Sequence, residues 1–295
     1  MNVRPSLGFI GAGKVGTTLA RLLFEKGYEI LVVHSRHVEH AARLADAVGA
    51  KVAATAEEVI AATDLTFLTL PDDVIGGLVA QLSSITVNGK AIVHTSGVHE
   101  VEVLEALVGQ GAMVGSLHPI FPFAEIDESI RRLPGAAFGM QAEAPLLQDW
   151  LQTIISALDG QSLVIGKRQK ALYHAALVFA SNYSVTLYAI AHQLLTQIGA
   201  ESEFSSLALN TLMAGMVRNL QVMGIPNALT GPLIRGDVGT IEAHLGALQR
   251  ANPTLADLYT QLAIQSLSLA AAQGVNTGQV ESLLRKKMDD ADNHT

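Results

Sequence analysis

The sequence contains no cysteine, a single tryptophan, and aromatic residues at only 5%. Without cysteine there is no disulfide framework, thiolate nucleophile or cysteine-ligated metal. Charge is sparse as well: Asp, Glu, Lys and Arg make up 16%, with a formal net charge of −8. Phosphate backbones are bound by clustered Lys and Arg, so no nucleic-acid surface is expected. The basic run Arg285-Lys286-Lys287 passes straight into acidic residues and reads as a helix end. No His/carboxylate spacing suits a metal site, and neither a serine-hydrolase elbow nor a P-loop lysine pattern occurs. The longest apolar stretch, 171–195, is interrupted by His174, Asn182 and His192 and reads as a buried helix rather than a membrane span. A strand beginning near Ser6 leaves no room for a signal peptide. The expectation is a soluble, cytoplasmic protein with no membrane partner.

What the chain does have is apolar material, 49% over 295 residues, enough for two domains. Up to about Gly166, short apolar runs alternate with helical periodicity. This is the pattern of an α/β, doubly wound parallel sheet covered on both faces. Strands are expected at 6–10, 29–34, 65–70, 91–95, 113–117, 136–140 and 162–165, with a short one near 51–53. Helices are expected at 15–26, 37–48, 57–62, 73–82, 101–108 and 144–158. Beyond 166 the strand signals stop, and helices are expected at 167–198, 203–223, 238–251, 254–273 and 280–288. The division reads as a Rossmann domain over 1–165 and an all-helical domain over 166–295. The low charge density suggests that apolar surface is also buried between subunits.

Residues 6–16 read S-L-G-F-I-G-A-G-K-V-G, a strand running into a helix at the start of a βαβ unit. In this context Gly11 allows the tight turn, Gly13 lets backbone approach a pyrophosphate, and Gly16 permits close helix–strand packing. The amides of the turn and helix start, through Ala12, Lys14 and Val15, then face the phosphates. The plainer alternative is a glycine-rich turn without ligand. The second strand ends in His34-Ser35-Arg36, with no carboxylate until Glu39. An acid there would hold an NAD ribose and repel a 2′-phosphate. Ser35 and Arg36 instead suit the phosphate of NADP(H), through a hydroxyl and charge-assisted bonds. The plainer reading of Arg36 is a surface residue opening the next helix; His37 and His40, near the same crevice, are as readily surface residues.

Ligands bind outside the carboxyl ends of parallel strands, so three more strand ends matter. Leu70-Pro71-Asp72 carries a loop toward the nicotinamide ribose, with Asp72 a ligand or simply a helix cap. His94-Thr95-Ser96-Gly97 offers hydroxyls from Thr95 and Ser96 and a flexible backbone at Gly97. Leu117-His118-Pro119 sets an imidazole at a strand end.

These features resemble the Rossmann-like domain of the deazaflavin-dependent NADP oxidoreductases and of the β-hydroxyacid dehydrogenases. The segments S-L-H-P-I-F-P-F (116–123), K-A-L-Y-H-A-A-L-V-F-A-S-N-Y (170–183) and A-L-T-G-P-L-I-R-G-D (228–237), with Thr240 and His244 beyond, resemble one subgroup more closely. That subgroup is Rossmann proteins whose helical second domain carries an uncharacterised family name. Its layout is similar to that of ketopantoate reductases. The resemblance implies a helical domain of the 6-phosphogluconate dehydrogenase C-terminal type and a homodimer formed through it. It also implies a lysine, on the first long helix after the Rossmann domain, that acts on the substrate oxygen; Lys170 stands at that place. The family pattern has asparagine four residues later, where this chain has His174, so His174 or His118 is an alternative proton donor.

Helix geometry adds a separate argument: Lys170, His174, Leu177 and Ser181 share one face at spacings of four, three and four. Downstream, Arg235 could clamp a substrate carboxylate, or pair with Asp237. Gly97, Ser181, Asn182 and Thr230 are further substrate-binding candidates. The expected activity is NADPH-dependent reduction of a small 2-oxo acid or related carbonyl, with ketopantoate as the nearest analogue. The alternatives are NADPH–deazaflavin or flavin oxidoreduction, and a non-enzymatic NADP(H)-binding dimer.

Overall fold

The computed structural model describes residues 4–82 and 87–292. It begins with β1 (Leu7–Ile10), α1 (Lys14–Glu25), β2 (Ile30–His34), α2 (Val38–Val48) and β3 (Lys51–Val52). There follow α3 (Ala56–Ala62), β4 (Leu65–Leu68), α4 (Asp72–Leu82), β5 (Ala91–His94) and α5 (Glu105–Val108). Next come β6 (Met113–Pro119), α6 (Ile126–Arg132), β7 (Ala137–Ala142), α7 (Pro145–Ala157) and β8 (Gln161–Val164). The remainder is helical: α8 (Lys170–Ala180), α9 (Asn182–Gln197), α10 (Ser202–Met223), α11 (Val238–Ala251), α12 (Pro253–Ala272) and α13 (Gly278–Asp292).

The eight strands form one sheet in the order β3-β2-β1-β4-β5-β6-β7-β8. The order in which successive strands are added reverses between the parallel β1 and β4, and the cofactor crevice of such sheets lies at that switch point. Side chains alternate between faces. Leu7, Phe9, Val33 and Phe67 join α1, α2 and α7 in one core, while Ile10, Val32 and Leu68 join α3, α4 and α5 in the other. Local chemistry sets the helix starts. Thr55 accepts from the Glu58 amide while Glu58 reaches back to the Ala54 amide, a reciprocal cap for α3.

Four expectations need correction. β7 pairs antiparallel to β6, so the sheet is not wholly parallel. The expected 101–108 helix is a 3₁₀ turn followed by the short α5, and α6 was not foreseen. The single helix expected over 167–198 breaks at Ser181 into α8 and α9. Nor is the apolar stretch 171–195 buried within the chain: α9 buries no residue, and Leu172, Phe179 and Val185 are exposed. Among the described residues no helix is long and apolar enough to cross a membrane.

The chain divides into two compact units, residues 1–186 and 187–295. The change of sequence pattern at 166 and this division differ because α8 packs with the sheet: Lys170 is fully buried and Tyr173 lies in the slot left by Gly139. In the second unit α11, α12 and α13 enclose a small core of Ile241, Leu245, Ala263, Leu267, Val280 and Leu284. There Asp237 caps α11 by accepting from the Thr240 amide and hydroxyl, and Asn252 caps α12 with Pro253 in its first turn.

Candidate active site

At the switch point the glycines divide their duties as the fingerprint requires. Gly11 has φ +111°, and a Cβ there would overlap the Thr69 carbonyl; a Cβ on Gly16 would overlap the Gly11 carbonyl. Both are therefore demanded by the protein's own packing. A Cβ on Gly13 would meet no protein atom within 4 Å, which leaves that position open to a ligand. The α1 N-terminus has no side-chain cap and no acidic residue in its first turn, so its amides are available to phosphate. A cavity of about 500 Å³ opens here, bounded by the Gly11–Gly13 turn, His34-Ser35-Arg36, Leu70-Pro71, and also His37 and His40. Exposed Arg36 and two imidazoles at the β2 end, with no carboxylate among the cavity's β2-end residues, fit a 2′-phosphate. Lys14, Val15, Gly16 and Asp72 do not line this cavity.

A second cluster forms where β5, β6 and α8 meet. Lys170, the first residue of α8, is wholly buried, and its Nζ donates to the Ser96 carbonyl at 2.6 Å. Burial lowers its pKa to about 8, against the raising effect of Glu100 and Asp72. His118 Nδ1 lies 2.7 Å from the Tyr173 hydroxyl, and its ring stands 6.4 Å from that of His174. Burial first, then the neighbouring Lys170 and His174, hold His118 down at about 4, while burial pushes Tyr173 up to about 12. Both are therefore neutral near pH 7. Gly97 packs beneath the two imidazoles, and a Cβ there would overlap His174 and crowd His118. Asp72 opens α4, its carbonyl 3.0 Å from His99 Nε2, and its charge reaches both Lys170 and His118.

The structure thus gathers Lys170, His174, His118, Ser96 and Gly97. The Ser96 hydroxyl accepts from the amides of Val98 and His99, and Thr95 donates to the Leu68 carbonyl, so both hydroxyls serve the loop. Ser181 and Asn182 are exposed at the α8–α9 break. Thr230, Arg235 and Asp237 belong to the second unit, where Thr230 and Arg235 are exposed and Asp237 caps α11. Sequence reasoning missed Tyr173 and Glu100. Tyr173 carries a readable signal, since it sits beside His174 on the inward side of α8. Glu100 carries none, because its partners lie 41 and 70 residues away.

Known proteins bear on the cofactor and the fold. Residues 6–97 match the family described as NADP oxidoreductase, coenzyme F420-dependent, and residues 136–266 match a family described only as a domain of unknown function. No curated protein matches. A Bacteroides fragilis structure described as an NADP oxidoreductase is 26% identical, with TM-score 0.70, covering 91% of this chain and 99% of that one. A Thermotoga maritima protein is 25% identical, with TM-score 0.75, covering 91% and 100%. A reductive aminase from Aspergillus terreus, solved with NADPH and ethyl-5-oxohexanoate, shares the fold at 19% identity and TM-score 0.62, covering 96% and 95%. With its glycine turn, its basic β2 end and its family match all at one crevice, the protein is an NADP-dependent oxidoreductase.

Proposed function

We propose that the protein reduces the carbonyl of a small 2-oxo acid, ketopantoate being the first candidate, and that Lys170 protonates the oxygen. Bound NADPH supplies the hydride. The observation that carries this reading is the desolvated Lys170 ammonium: a pKa of about 8 leaves it charged at neutral pH yet ready to release a proton. One of its protons goes to the Ser96 carbonyl, and two remain for a developing alkoxide. His118, with a pKa of about 4, has no acidic proton to give at pH 7. With the Tyr173 hydroxyl donating to Nδ1, Nε2 bears the proton of the neutral ring and can hydrogen-bond the substrate.

The test is an NADPH-oxidation screen over 2-oxo acids including ketopantoate, run beside Lys170→Ala. Imines belong in the screen because the same proton delivery serves a C=N bond, and the Aspergillus terreus enzyme of this fold is a reductive aminase. Carbonyl turnover lost in the variant supports the proposal; turnover retained in the variant sinks it. A second reading, deazaflavin reduction, draws on the description of the family matched at 6–97. Hydride transfer between cofactors needs little acid catalysis, so that reading expects turnover of a deazaflavin unaffected by Lys170→Ala. The exposed apolar faces of α9 and α10 support a homodimer formed through the helical unit.

A further inference from the structure

We propose that Glu100 is a positioning residue, whose carboxylate fixes the start of α8 and so aims Lys170. The inference rests on the reading of Lys170 as proton donor. Glu100 Oε1 accepts from the Lys170 backbone amide at 2.9 Å, and Oε2 accepts from Gln141 Nε2 at 2.7 Å. The Arg168 amide also donates to this carboxylate. Gln141 Nε2 gives its other proton to the Gly166 carbonyl at 3.1 Å. One side chain therefore joins the loop after β5, strand β7 and the 166–169 turn that leads into α8.

That turn needs an external hold. Arg168 has φ +62°, a left-handed conformation that a residue with a Cβ adopts only when its surroundings impose it. Gln169 precedes α8 but does not cap it with its side chain; its Oε1 accepts from the Gly166 amide instead. The uncapped amides favour an anion, and Glu100 supplies one from across the fold. Gln141 has a single workable orientation, because both partners of its Nε2 are acceptors. Its register neighbours His94 and Ser116 run alongside on β5 and β6. In two of the three a buried polar atom (Ser116 Oγ, Gln141 Oε1) lacks a partner among the described residues, while the His94 ring interacts with the Glu100 backbone. A row serving only packing would be better apolar; in this one Gln141 holds the Glu100 carboxylate. Burial pushes the Glu100 carboxyl up, but the bonds from Gln141, Lys170 and Arg168 together hold it below its ordinary range. It remains an anion facing the Lys170 ammonium, with Asp72 the other anion acting on Lys170.

The test uses the full chain with Glu100→Gln and Glu100→Asp. Two readouts need no substrate: NMR titration of lysine Nζ, and amide exchange over 166–172. In Glu100→Gln, Lys170 should titrate lower by about one unit, since the facing charge is gone. The 166–172 amides should exchange about tenfold faster. With any substrate the screen yields, kcat should fall by about tenfold with KM within twofold, and Asp should restore part of it. NADPH affinity should not change. Unchanged Lys170 titration and amide exchange in Glu100→Gln would overturn the proposal, whatever happens to kcat. Should no carbonyl be turned over by the parent protein, the functional reading fails, yet these two readouts still decide the role of Glu100.

Discussion

The two units of this chain differ in how they handle apolar surface, although α8 and the start of α9 in the first also leave Leu172, Phe179 and Val185 exposed. The first closes a core on each face of its sheet, and side chains such as Phe9, Phe67 and Phe138 are wholly buried. The second buries a modest cluster among α11, α12 and α13 but leaves long apolar residues in water, Leu212 at 69% and Val222 at 76% exposure. Of the 22 residues of α10, only Ser205 and Leu209 are buried. A helix that is apolar around most of its surface and unburied in its own chain calls for a partner. On the proposed function, chemistry falls to the first unit, where every polar group of the Lys170 cluster lies, and self-association to the second.

The largest test of that contrast is Lys170→Ala, which should lower kcat by about 10²–10⁴-fold and leave NADPH affinity intact in steady-state and binding assays. A comparable loss of nucleotide binding would dissolve the separation between cofactor crevice and acid. Next, Arg36→Ala should weaken NADPH binding by about 10–100-fold while sparing NADH, read by fluorescence titration. Equal weakening of both nucleotides would remove the case for 2′-phosphate recognition. The pH profile sharpens the role of Lys170. Reduction needs the protonated ammonium, and burial has lowered its pKa to about 8. The rate should therefore hold below that value and fall about tenfold per unit above it. A fall centred near 4 would move the role to His118. The smallest effect on chemistry is expected from Leu212→Arg, on the exposed face of α10. It should convert a dimer to a monomer by light scattering, with NADPH affinity within about twofold. A monomeric parent protein would contradict the assembly role outright.

Much of the first unit could be read from local pattern alone. Gly11, Gly13 and Gly16 fall at a strand-to-helix turn, and Ser35-Arg36 follow the next strand; these are short-range relations that periodicity and turn chemistry expose. The face of α8 that includes Lys170 and His174 was legible for the same reason, because helical spacing is local. The direction of β7 was not, since an apolar run looks the same whichever way it pairs. Nor was the break at Ser181, which no glycine or proline announces.

By itself, then, the sequence determined what neighbours in the chain impose: the phosphate turn, the nucleotide preference, the helical second half and the placing of a lysine at the start of α8. Tertiary structure alone decided what distant segments do to one another. It desolvated Lys170, paired His118 with Tyr173 across 55 residues, and brought Glu100 to an amide 70 residues away. The reason is physical: a pKa or a hydrogen bond depends on burial and distance in space. Spacing along the chain constrains those only within a turn or a strand.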